Sequence, residues 1–109
     1  MDSLIDLYTY LHFNCDLKNK LILLNDKFST NESALLSGLG IVKNIINKLT
    51  KLNEILFICD DLKILKDNLL ELEKYLINSY GEINANIIFD FLLIEYEDLY
   101  ASVKKILNM

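Results

Sequence analysis

Apolar side chains recur every three or four residues along almost the whole chain. In the first segment the stripe is Leu7, Tyr10, Asn14, Leu17, Leu21, Leu24 and Phe28, which predicts a helix over 3–28. Asn14 takes a core-type position there, where a polar residue can fix register. Ser29 and Glu32 have capping-box spacing and open a second helix, over 30–59. Its stripe is Leu35, Gly38, Val42, Ile45, Leu49, Leu52, Leu56 and Cys59. Gly38 and Gly40 permit close approach of a neighbouring helix, at some cost in helix propensity.

Near Cys59-Asp60-Asp61 the stripe shifts to Leu62, Leu65, Leu69, Leu72 and Leu76, roughly 150° around the helix axis from the first. Two arrangements produce this. The chain turns near Asp60 with a new N-cap there, or one long helix offers opposite faces to different neighbours. A turn gives helices of comparable length that can pack together. A third helix then spans 61–80 and ends at Tyr80-Gly81. The last helix spans 84–108 on Ala85, Phe89, Leu92, Tyr96, Leu99, Val103 and Ile106. The expectation is one all-α domain over 1–109, an antiparallel bundle or coiled coil of three to four long helices. The stripes serve either an internal four-helix core or packing with another subunit, and the regular heptads favour the latter.

Composition narrows the function. Leu, Ile, Asn and Lys fill 60 of the 109 positions, Pro, Trp, Arg and Gln are absent, and Gly occurs three times. So few turn formers argue against a sandwich or barrel of short strands. The net charge of −5 supplies no basic stripe for nucleic acid, and there is no Arg for bidentate phosphate or base contacts. The charge is uneven. Residues 31–59 carry three Lys against two acidic residues, whereas 60–109 carry five Lys against ten. An acidic face in the second half would suit a basic protein surface.

No apolar run approaches the ~20 residues of a membrane span, and Met1-Asp2-Ser3 is not the start of a secretory signal. A cytoplasmic chain with reduced Cys15 and Cys59 is expected. His12 is the only histidine and has no triad pattern around it. With Cys15, Cys59 and Asp60 it could complete a four-ligand zinc site, but a second closely spaced ligand pair is missing. Gly38-Leu39-Gly40 lacks the strand, the later Gly and the Lys of a phosphate loop. No enzyme activity, metal or cofactor is therefore expected.

The last helix carries more apolar residues than one seam needs. Beyond its stripe stand Ile88, Phe91 and Leu93, with Glu95, Glu97 and Asp98 just past them. An aromatic anchor beside apolar neighbours and a charged rim is the usual anatomy of a protein interface, so these six residues form the candidate contact surface.

Scattered segments bear a family likeness. They are Leu4-Ile5-Asp6-Leu7, Cys15-Asp16 followed by Leu21-Ile22, and Leu62-Lys63-Ile64-Leu65 followed by Leu72, Lys74-Tyr75-Leu76 and Tyr80. Phe91, Leu93, Glu95 and Val103 continue the pattern. In these the chain resembles the dynactin subunit 3 family, the small helical shoulder subunits of dynactin. It departs from that family at Ile58-Cys59-Asp60-Asp61, where a basic stretch is expected, and in lacking a Pro after Lys74-Tyr75-Leu76 and a further C-terminal helix. The resemblance implies a non-enzymatic, cytoplasmic, cytoskeleton-associated subunit bundled with other helices and acting in dynein-based transport. The competing expectation is a small acidic inhibitor or immunity-type protein of a virus, phage or microbe that covers a basic site on its target.

Overall fold

The computed structural model describes residues 2–52 and 60–108. Most of them are helical, and among the described residues there is no β-strand. The elements are α1 (Asp2–Phe13), α2 (Cys15–Leu23), a 3₁₀ turn (Asn25–Lys27), α3 (Glu32–Thr50), α4 (Asp60–Glu73), α5 (Ala85–Asp90), a π turn (Phe91–Glu95) and α6 (Tyr96–Ile106). α1 packs on α3 and α6, and α4 packs on the same two helices, so these four elements close a ring of neighbours. α2 lies against α3 and the π turn, and α5 against α3. The shortest molecular dimension is 18 Å, about two helix layers.

The helices are shorter and more interrupted than the heptad pattern suggests, and each interruption has a local cause. The expected helix over 3–28 breaks at Asn14, whose side-chain amide donates to the Tyr10 carbonyl at 2.9 Å and competes with the helix ladder. The break moves the buried stripe. Leu4, Leu7, Leu11, Lys18 and Leu21 face inward, while Leu17 is exposed. The cap of α3 is Asn31 rather than Ser29. Asn31 Oδ1 accepts from the Ala34 N–H at 3.0 Å, and the Ser29 hydroxyl donates back to the Asp26 carbonyl.

α3 stops at Thr50, well before the expected 59. The Thr50 hydroxyl donates to the Ile46 and Asn47 carbonyls, and the next two N–H groups fall back on i−3 carbonyls, tightening the last turn. α3 and α4 pack against each other, so they are not one continuous rod. Of the two stripes, Val42, Ile45, Leu49, Leu52, Leu69 and Leu76 are buried, with Leu65 and Leu72 half-buried against them. Leu56, Cys59 and the Leu62 side chain lie outside the described residues.

α4 ends at Glu73 rather than at Tyr80. The segment beyond is a small asparagine-organised hairpin. Ile77 and Ile83 form an antiparallel bridge, and Asn78 Oδ1 accepts from the Tyr80 and Glu82 N–H groups, each at 2.9 Å. The Asn84 N–H donates to the Leu76 carbonyl at 2.9 Å, and its side-chain amide donates to the Tyr75 carbonyl. Gly81, at φ +81°, therefore serves the tip of this hairpin and not a helix C-terminus.

Gly38 makes the close approach expected of it. A Cβ there would stand 2.8 Å from Ile88 Cγ2 and 3.1 Å from Phe28 Cζ, so α3 and α5 meet through the missing side chain. Gly40 faces open space and has no such role.

Candidate functional site

The last helical run carries the six residues expected from the sequence as a candidate contact surface. Here α5 passes into α6 through a π turn, closed by the Tyr96 N–H donating to the Phe91 carbonyl five residues back. The wider turn lets two consecutive residues, Phe91 and Leu92, both face the core, and leaves the next two, Leu93 and Ile94, facing out. Ile88 is likewise fully buried, against Gly38. Ile88 and Phe91 are thus covered by their own chain and are not open for a partner.

The remaining four candidates do share the outer side. Leu93 is 47% exposed, Glu95 is half-buried, and Glu97 and Asp98 are exposed. Ile94, which the sequence reading passed over, is 55% exposed and joins them. Leu93 and Glu97 stand four apart, as do Ile94 and Asp98, so each aliphatic side chain has a carboxylate one turn on. The clue missed was the double-width apolar run Phe91–Ile94 itself. No single α-helical turn buries four consecutive residues, so two of them had to remain outside.

Two groups beside this surface are fixed by α1 and α2. The Lys18 ammonium pairs with the Glu97 carboxylate and sits 5.2 Å from the centre of the Tyr96 ring. The Tyr96 hydroxyl is buried and donates to the Leu11 carbonyl. Burial raises the Tyr96 phenol well above its ordinary 10.0, with Cys15 and neighbouring phenols adding to the effect, so it stays a neutral hydrogen-bond donor. Further along, His12 Nδ1 and the Tyr100 hydroxyl are 2.8 Å apart, the His12 ring stacks on Tyr8, and the Lys104 ammonium lies over Tyr100. On the opposite side of α1, Lys48 pairs with Asp6 at 2.8 Å and lies over Tyr10, tying α1 to α3. Most of these contacts join two helices, and they account for His12, Lys18, Lys48 and Tyr100, which the apolar periodicity left unassigned.

The zinc arrangement requires Cys59, which lies outside the described residues. Among the described residues no three His, Cys, Asp or Glu side chains gather closely enough to hold a metal ion. Cys15 is half-buried, with Asn19 Nδ2 3.9 Å from its sulfur. Among the described residues no helix is long and apolar enough to cross a membrane. In comparisons with known proteins, the chain matches no family model, no curated protein and no solved structure.

Proposed function

We propose that this chain is a non-catalytic helical subunit or adaptor that works by binding another protein. The observation that supports this is the outer side of the π turn. A chain that buries twenty hydrophobic residues among those described leaves Leu93 and Ile94 open together, with Glu95, Glu97 and Asp98 around them. Adjacent exposed aliphatic side chains with a charged rim have the composition of a contact patch, in which the apolar centre gives affinity and the rim gives orientation. The fuller form of the reading is a cytoplasmic helical assembly in which this chain bundles with other helices. The resemblance to dynactin shoulder subunits names one such setting.

The test is native size. In extracts of its own cell at low salt, the wild-type chain is expected to elute in a larger complex of fixed stoichiometry. The Leu93→Ser, Ile94→Ser double variant is expected to elute alone. Elution of the wild type as a free 12.7 kDa chain under these conditions overturns the subunit reading. In that case the acidic surplus of residues 60–109 directs attention to a soluble inhibitor of a basic target.

A further inference from the structure

The 3₁₀ turn and the loop after it face the start of α5 across an open groove of 330 Å³, whose Phe89 wall lies one helical turn before Leu93. Its lining includes Asn25, Asp26, Phe28, Ser29, Asn86 and Phe89. We propose that this groove takes a basic side chain, lysine or arginine, from the protein partner. The proposal rests on the reading of the chain as a protein-binding subunit and gives that partner a chemistry.

Three features of the groove point to a cation. The first is its aromatic wall. The Phe28 and Phe89 rings stand 5.5 Å apart at 50°; Phe28 is buried, and the half-buried Phe89 ring keeps the open surface. A ring backed by a second ring and open on one side is a platform for an ammonium or guanidinium group.

The second is the supply of acceptors. Asp26 offers a carboxylate, an acceptor only, and Asn25 and Asn86 offer side-chain carbonyls beside their own amide N–H groups. Among the described residues none of these three side chains makes a hydrogen bond or ion pair within the chain. The Ser29 hydroxyl already donates to the Asp26 carbonyl at 3.3 Å, which leaves its oxygen free to accept. An ammonium or guanidinium group consists only of donors, so it complements the Asp26 carboxylate and the free amide and hydroxyl oxygens around it.

The third is charge. Asp26 is the one charged residue in the lining, and the chain as a whole carries −5, which draws basic partners toward it. A purely apolar side chain would leave the carboxylate and both amides without new partners.

The experiment is a nuclear magnetic resonance titration of the full chain at low salt with three probes. These are the N-acetyl methylamides of lysine, arginine and norleucine. The lysine or arginine probe is expected to give saturable shifts at the Asn25 and Asn86 side-chain amides, reduced by added salt, while norleucine gives none. Asp26→Asn, at an exposed position, is expected to weaken binding about three-fold. Phe89→Leu is expected to weaken it by a similar factor of about three. An equal response to norleucine, an unchanged affinity in Asp26→Asn, or no saturation with either cationic probe overturns the proposal. Asp26→Asn decides the matter even if Phe89→Leu disturbs folding. Because the isolated chain and small probes are used, the result is independent of whether the Leu93–Ile94 surface recruits a partner.

Discussion

Lys18 and Glu97 form an ion pair whose two halves live in different surroundings. The lysine side chain is 3% exposed and the glutamate 54%. The ammonium has been withdrawn from water beneath α6, with the Tyr96 ring on one side and the carboxylate reaching in from the surface. Such a pair is asymmetric in what its loss does. Removing the exposed acid strands a buried charge, whereas removing the charge strands nothing.

Glu97→Gln is therefore expected to cost about 1–3 kcal/mol, the usual penalty for a buried polar group that loses its partner. Lys18→Met keeps the aliphatic stem and removes the charge, and is expected to be close to neutral or stabilising. Urea denaturation of both variants checks the order. A larger loss in Lys18→Met would show that the pair stabilises the fold by more than the desolvation it demands.

The two glycines in the first turns of α3 should respond in opposite directions. Gly38→Ala drives a methyl into Ile88 and Phe28, both buried, and is expected to cost about 1–3 kcal/mol as overpacking. Gly40→Ala meets open space on a helix and is expected to gain about 0.5–1 kcal/mol. Thermal melts of the two single variants make the comparison.

Tyr96 gives a pH dependence with a definite sign. Its phenol is held above its unfolded value of 10.0, chiefly by burial. The folded state therefore keeps its proton where the unfolded chain has released it. This contribution is complete below pH 10.0 and is lost as pH rises past it toward the folded value. Tyr10, also raised by burial, acts in the same direction. Tyr96→Phe is expected to lose about 0.5–1.5 kcal/mol at neutral pH and to show a shallower decline in alkali. Urea midpoints measured on both sides of pH 10.0 test this; parallel declines in the two proteins would remove Tyr96 as the cause.

The π turn separates folding from contact at neighbouring positions. Phe91→Ala is expected to cost about 3–5 kcal/mol as a core truncation. Leu93→Ser with Ile94→Ser is expected to change stability by only about 0.5 kcal/mol per site while abolishing the larger complex. If the outer pair proves as costly to the isolated chain as Phe91, those side chains belong to the core.

The helical class was legible because a 3.6-residue apolar repeat has no other structural meaning in a chain so poor in Gly and Pro. Leu7, Val42, Ile45, Leu69, Leu99 and Val103 all lie inside as their spacing predicts. Misreadings came where a side chain or turn altered the phase. Asn14 shifts the inward face so that Lys18 replaces Leu17, and a periodicity read on hydrophobicity alone passes over a lysine that buries its stem. Gly81 looked like a helix stop because αL glycine serves hairpin tips and helix ends alike. The candidate contact surface was half legible. Leu93, Glu95, Glu97 and Asp98 could be read as surplus, but Ile88 packs into the gap left by Gly38, and the π turn that places Phe91 inward and Ile94 outward adds a phase step that a constant period does not contain.

A π turn holds one residue more than an α turn, and this gives the 91–95 segment an unusual tolerance of length. Deleting either Leu93 or Ile94 would convert it into ordinary α-helix while the residues before and after keep their phase. In an ordinary α-helix a single deletion rotates everything beyond it by about 100° relative to the core. One residue of the outward pair is thus an insertion, on a scaffold that closes without it. Binding at this surface could be lost or acquired by adding or removing one codon, with the helices around it left in register.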